Sequence, residues 1–244
     1  MRPLSVQEMI RVWEHGETCS PLAQALLVLH AGEPDTPIEA LAQLSIGERD
    51  RRLLQMRERT LGAGFSCSVD CPQCGEDLSF DLETEQLLRP AAEDSRKAVT
   101  LSAGDYSIQF RLANSKDLSE ALRAASAEEG RKLILARCLL DVRRESQQAA
   151  VDDLPESAIH AICEAMGKHD AQADVQFEVR CDRCGTQWTT VFDVAAFFWR
   201  EISVRARRAL SEVHALASAY GWSEGEILNM SAARRNFYLQ MVEV

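Results

Sequence analysis

Along the first 62 residues, apolar positions recur at helical spacing, the pattern of helices that bury one face. Ser5 with Glu8, Thr36 with Glu39, and Ser45 with Glu48 have capping-box spacing. In that motif a hydroxyl and a carboxylate each satisfy a free backbone N–H at a helix start. Pro21 and Pro37 follow Ser20 and Thr36 at the first helical position, where a missing N–H costs nothing. Gly16, Gly32 and Gly62 stand where these helices should stop. The helix opening near Ile46 carries Arg49, Arg51, Arg52, Arg57 and Arg59 interleaved with Glu48, Asp50 and Glu58, beside a Leu53, Leu54 and Leu61 stripe. Interleaved signs predict a solvated, salt-bridged face there, with contact to an acidic partner or RNA as the other reading.

The period then drops to two. Phe65, Cys67 and Val69 alternate with polar residues, as do Leu78, Phe80 and Leu82, which predicts a half-buried hairpin. A polar, Ala-rich connection (Glu83 to Lys97) leads to a second hairpin. In it Val99 and Leu101 face Tyr106, Ile108, Phe110 and Leu112 across a Gly104-Asp105 turn. Helical spacing returns from Asp117 to Lys168, with Ser115 as a cap, apolar runs at Leu118–Leu122, Leu133–Val142 and Ile159–Met166, and Leu154-Pro155-Glu156 opening the last of them. Val175, Phe177 and Val179 alternate again, with a return strand from Trp188 to Phe192. A long helix follows from Val194 to Tyr220, striped by Phe197, Ile202, Ala206, Leu210, Val213, Ala217 and Tyr220. Gly221 ends it. Ser223 with Glu226 makes another capping box, with Trp222 and Ile227 as its hydrophobic staple, and Ser231 opens a final helix.

These elements predict a mostly helical α+β fold. An N-terminal helical segment (1–63) precedes a zinc-ribbon-like pair of hairpins split between 64–83 and 173–192. An α/β insertion (84–172) separates the two, and C-terminal helices (193–244) follow.

Each split hairpin carries a short cysteine motif at its tip, Cys71-Pro72-Gln73-Cys74-Gly75 and Cys181-Asp182-Arg183-Cys184-Gly185. A two-residue gap lets both thiolates of a knuckle point at one ion, and the following glycine permits a positive-φ turn. Cys71, Cys74, Cys181 and Cys184 are therefore the candidate ligands of a structural zinc. Four protein sulfurs would leave no open position for water, so the site would not be catalytic. Thiol redox chemistry is the competing reading, yet a thioredoxin-like CxxC opens a helix in a βαβ setting that is missing here. Cys67 shares strand parity with Phe65 and Val69 and reads as a core thiol, although a fifth ligand is conceivable. Cys19, Cys138 and Cys163 read as small buried hydrophobes.

Composition narrows the function further. A net charge of −11 argues against sequence-wide phosphate binding. No apolar run is long enough to span a membrane, and the N-terminus lacks a signal-peptide profile, so the chain reads as soluble and cytoplasmic. The five histidines are scattered without paired ligand spacing, and no phosphate-binding loop or nucleophile elbow occurs. The sequence therefore points to no enzyme. Phe197, Phe198, Trp199, Tyr220, Trp222, Phe237 and Tyr238 crowd the last fifth of the chain, either as a helical core of their own or as a surface that anchors a protein partner.

The order of features resembles the baseplate-assembly proteins of T-even-type phages and related contractile injection systems. The resemblance is carried by Gly47-Glu48-Arg49-Asp50-Arg51-Arg52-Leu53-Leu54, the two knuckles, Phe192-Asp193-Val194-Ala195-Ala196-Phe197-Phe198-Trp199, and an ending that includes Tyr220-Gly221-Trp222, Ile227-Leu228 and Arg234-Arg235. It implies a non-enzymatic role in building the baseplate or hub of a contractile tail, as a minor component or as a chaperone that leaves. The partners it implies are baseplate, hub or tail proteins, met through the aromatic C-terminal helices; the acidic charge argues against nucleic acid and the lack of a spanning apolar run against a membrane. From another class, the alternative is a zinc-ribbon regulator acting on nucleic acid or the transcription machinery, and the third reading is a thiol oxidoreductase.

Overall fold

The computed structural model describes residues 1–90, 97–145 and 147–242, with the backbone alone for Asp152. The N-terminal helices are α1 (Val6–Gly16), α2 (Pro21–Gly32), the single turn α3 (Ile38–Leu41) and α4 (Ile46–Leu61). Ser5 and Glu8 close a full capping box on α1, and Pro21 starts α2 behind a Ser20 cap. The box expected at Thr36 and Glu39 does not form: Pro37 precedes a four-residue helix that no side chain caps. Ser45 does cap α4 by accepting from the Glu48 N–H, but the Glu48 carboxylate turns to Arg52 Nε (2.7 Å). The expectation of a solvated, salt-bridged α4 face holds only in part: Arg52 pairs with Glu48 and Glu33, and Glu58 and Arg59 are exposed. Arg49, Asp50 and Arg57 are buried there, because other elements close over the helix on more than one side.

Two hairpins follow the predicted alternation. Strands β1 (Gly64–Asp70) and β2 (Asp77–Glu83) pair antiparallel, and Phe65 is the most buried residue of β1. The connection after them contains the helical turn α5 (Thr84–Leu87), boxed by Glu83 and Gln86, with Leu87 fully buried. Residues 91–96 of that connection lie outside the described residues.

The stretch that follows forms one antiparallel sheet with helices on it. Strands β3 (Val99–Ala103) and β4 (Tyr106–Phe110) turn at Gly104, whose φ of 59° suits glycine. Helices α6 (Ser115–Ala121) and α7 (Ala127–Cys138) come next, and Asn114 rather than Ser115 caps α6. The helix expected through Val142 stops at Cys138. Leu139–Arg144 instead forms strand β5, pairing with β4, and Gln147–Gln148 forms β6 at its edge. Ile108 and Val142 face each other across β4 and β5 and are buried, which stabilises strand over continued helix. Helix α8 (Glu156–His169) covers the sheet, and Ile108, Phe110, Leu135, Val142, Leu154 and Ile162 make a core of their own.

Strands β7 (Gln176–Arg180) and β8 (Gln187–Val191) form the second split hairpin and lead into α9 (Val194–Tyr220). Helix α9 packs on α1, α2 and α4, so the last third of the chain completes a core begun by the first. Its buried face is Val194, Phe198, Ile202, Ala206, Ala209 and Leu216, whereas Phe197, Leu210, Val213 and Ala217 are only half-buried and Tyr220 is exposed. The predicted stripe holds at Ile202 and Ala206 and shifts to an adjacent residue toward either end, because α9 has neighbours on two sides. Gly221 ends α9 in the left-handed region (φ 70°). Helix α10 (Glu224–Leu228), with its Ser223–Glu226 box, and α11 (Ala232–Val242) finish the fold.

Candidate metal centre

The two knuckles are local copies of each other. Cys71 N donates to Glu76 O (2.8 Å) and Gly75 N to Cys71 O (2.9 Å); Cys181 N donates to Thr186 O (2.9 Å) and Gly185 N to Cys181 O (2.9 Å). Gly75 and Gly185 take φ values of 69° and 75°, the left-handed turn that the position requires. The equivalent bonds fold each CxxC back on its hairpin and aim both thiols the same way.

All four sulfurs meet. The Sγ atoms of Cys71, Cys74, Cys181 and Cys184 lie within 4.8 Å of one another. Two cross-knuckle pairs, Cys71–Cys184 and Cys74–Cys181, are each 3.6 Å apart. A tetrahedral zinc with Zn–S bonds of about 2.3 Å spaces its sulfurs roughly 3.8 Å apart, so this donor set fits such an ion. It does not fit disulfides, whose sulfurs sit about 2.05 Å apart, and all four cysteines are free. Cys71 and Cys181 are buried, Cys74 half-buried and Cys184 exposed. Arg183 Nη1 reaches Glu76 Oε2 (2.7 Å), so an ion pair also links the knuckles beside the sulfurs.

Crowded thiols do not ionise independently. Hydrogen bonds from the Thr186 hydroxyl and N–H hold the Cys184 thiol down at about 6. The Glu76 N–H would lower Cys74 too, but desolvation and the neighbouring sulfurs push it up to about 12. Of these two thiols, Cys184 ionises the more readily and Cys74 resists. A dication held by the four cysteines would favour the thiolate form of each.

The other cysteines stay outside the cluster. Cys67 faces the interior beside Phe65, and burial followed by the Glu201 charge raises its thiol. Cys138 is fully buried; burial, then Asp117, pushes it up to about 11. Cys19 gives its thiol to His15 O, and Cys163 lies 3.7 Å from an Arg131 guanidinium nitrogen. His15 and His30 contact backbone carbonyls.

Below the sulfurs the hairpins are fixed by residues whose part was not apparent from the sequence. Arg57 Nε and Nη2 bind both carboxylate oxygens of Glu201 (2.9 and 2.7 Å), and Nη1 binds Gly62 O and Gly64 O. The same guanidinium sits 4.6 Å over the Phe65 ring. One cation thus joins α4, the base of β1 and α9. Phe65, Phe192 and Phe197 pack beside it with their rings tilted against one another, and Phe80 meets Phe177 between the hairpins. At the insertion, the Asp170 carboxylate accepts from Ser45 Oγ (3.0 Å) and Gly47 N (2.9 Å), so a residue distant in sequence completes the α4 cap.

Residues 30–199 match the family described as T4 bacteriophage base plate protein. The chain belongs to that family. The part matched to base plate proteins runs from within α2 into the first turns of α9 and contains all four clustered cysteines. Membership in the base plate family supports a structural or assembly role in a phage baseplate and interaction with other baseplate or tail proteins. Compared with curated proteins and with solved structures, the chain has no match. Among the described residues, no helix is long and apolar enough to cross a membrane.

Proposed function

We propose that this base plate protein is a non-enzymatic structural or chaperone-like assembly protein of a phage-type contractile tail, held in shape by a structural zinc on Cys71, Cys74, Cys181 and Cys184. The observation that carries the reading is the meeting of four thiols from two hairpins inside the span matched by the base plate family. The two hairpins act as one zinc-ribbon-like unit into which residues 84–172 are inserted, with helices on either side at 1–63 and 193–244. Zinc supplies no chemistry there beyond the tie: a closed set of four sulfurs offers no position for water or substrate. The protein works in the cytoplasm, where tails are built, and is carried into the particle or released from it.

The C-terminal aromatics divide between two roles. Phe198 belongs to the main core and Phe197 and Trp199 pack against it. Tyr220 stacks on Trp222 farther out and Tyr238 meets both edge-on (4.5–5.7 Å between ring centres), and Phe237 and Met241 beyond them are about 60% exposed. That outer group is suited to anchoring a tail protein.

Two measurements test the reading. Gently purified protein should carry about one zinc per chain, and metal-free protein with four freely titrating thiols would refute the clasp. Co-expressed with the tail genes beside its own, the chain should co-purify with baseplate or hub proteins. Purification free of all of them would refute the assembly role.

A further inference from the structure

A groove of about 580 Å³ opens between β1, β8 and the outer face of α9. Ser66, Cys67, Ser68 and Val69 line it in succession, and so do Thr190, Val191 and Phe192. Successive residues of a strand point to opposite faces, so a groove touching several in a row runs along the strand's edge. β1 pairs only with β2, and β8 only with β7. Beyond the ladder with β2, no backbone hydrogen bond among the described residues engages 66–69. Such edges invite pairing, and proteins usually guard them with lysine or proline. Neither residue occurs in Gly64–Asp70 or Gln187–Val191.

The rest of the groove has a definite chemistry. Phe80 and Phe177 form its floor, and Val191 and Val204 stand 64% and 62% exposed at its sides. Along its α9 wall lie Arg200, Arg205 and Arg208. Arg208 is paired with Glu212, but Arg200 and Arg205 have no acidic partner among the described residues. The acids in the groove are already engaged: Glu201 by Arg57, and Asp193 as the cap accepting from Ala196 N. In a chain of net charge −11, two unpaired cations beside an open strand edge are a local reversal of sign.

We propose that this groove receives an extended, acidic segment of a baseplate partner, which adds a strand along the β1 edge. Its backbone pairs with residues 66–69, its apolar side chains rest against Phe80, Phe177 and Val191, and its carboxylates meet Arg200 and Arg205. Four edge residues span about 13 Å, enough to pair a partner stretch of similar length. The proposal rests on the assembly role above, and names a surface other than the C-terminal aromatics.

The test uses the full chain co-expressed with the neighbouring tail genes, with a benzophenone amino acid replacing Val191. Light should link this position to one baseplate protein, and the sequenced adduct should be an acidic stretch alternating with apolar residues. Those amides of residues 66–69 that face away from β2 should exchange more slowly in the complex. The double variant Arg200→Glu, Arg205→Glu, exposed at both sites, should cut the yield by about tenfold at unchanged metal content. An adduct with nucleic acid, with a second copy of the chain or with a basic segment overturns the proposal, as does a yield indifferent to charge reversal. If the chain co-purifies with baseplate proteins but Val191 links to none, the groove fails and the assembly role stands. If nothing co-purifies, both fail.

Discussion

The two hydrophobic cores of this base plate protein are built on opposite plans. The insertion core gathers Ile108, Phe110, Val142 and Ile162 from one continuous stretch, sheet and covering helix together. The main core gathers Met9 and Leu29 from the start of the chain, Phe65 from the first split hairpin and Phe198 and Ile202 from α9. The first closes through short loops, whereas the second needs ends far apart in sequence to meet. Loop-closure entropy opposes such a meeting, and ties that act at a distance offset it. The ties are visible: four thiols at the hairpin tips, Arg57 between α4 and α9, and Asp170 on the α4 start.

The largest effect should come from breaking the clasp. Cys181→Ser should abolish stoichiometric zinc, a site worth on the order of 10 kcal/mol in small zinc peptides. Amide exchange should accelerate in both split hairpins and in α9, while β4, β5 and α8 keep their protection. Loss of protection throughout would show that the cores are not separable.

Arg57→Met should cost about 3–5 kcal/mol, read by denaturant unfolding of the metal-bound chain, because it strands a half-buried Glu201 and two carbonyls that lose their donor. Adding Glu201→Gln should recover part of that loss, since the stranded charge goes with it. An Arg57→Met variant as stable as the parent would remove this residue from the list of ties. On the other side of the comparison, Phe110→Ala empties a fully buried site and should also cost about 3–5 kcal/mol. Its effect should stay in the insertion, leaving zinc content unchanged.

Acid should distinguish the cores more gently. Burial alone would raise the Asp117 carboxyl, but donors from Arg111, the Asn114 N–H and Arg137 hold it below the usual range. A carboxylate depressed in the folded state gives stability that is present above its unfolded value near 3.9 and lost as pH falls through the folded one. Asp50 and Asp170, raised chiefly by burial, behave in the opposite sense: they take up protons earlier on acidification, and that uptake favours the folded state. Exchange in α6 and β4 should therefore quicken below about pH 4, and Asp117→Asn should flatten that dependence. An unchanged profile in the variant would assign acid sensitivity elsewhere.

Local signals made much of this readable from sequence. Ser5, Gly62, Gly221 and the alternation around Phe65 and Phe177 each depend on neighbours a few residues away, and each element formed where they indicated. The same holds for the two CxxCG motifs, whose turns are set within five residues, and their thiols converge. What could not be read depends on partners distant in sequence. Leu139–Arg144 has enough apolar content for helix, and only the β4 edge makes it a strand. Arg49, Asp50 and Arg57 look like a solvated face until α9 and the Asp170 loop cover them. The α9 stripe shifts away from its centre at Ile202 and Ala206 for the same reason, since two sets of neighbours decide which residues are buried. Nothing local in the sequence distinguishes Arg200 and Arg205, unpaired over a groove, from Arg207 and Arg208, which hold Glu17 and Glu212.

The 106 residues between Cys74 and Cys181 also set an order of events during synthesis. The first knuckle leaves the ribosome as a half-site with two thiols, and α1, α2 and α4 emerge with the apolar faces that α9 will cover still bare. The insertion, whose core comes from one stretch, can fold while the chain is being made, settle on the α4 start through Asp170 and bring the second knuckle toward the first. At the proposed zinc site, metal capture would then be a late step, possible only once Cys184 has emerged, with α9 following soon after. A chain cut short before that point would carry an intact insertion on an open, adhesive N-terminal half, which makes premature termination here a source of aggregates rather than of a smaller working protein.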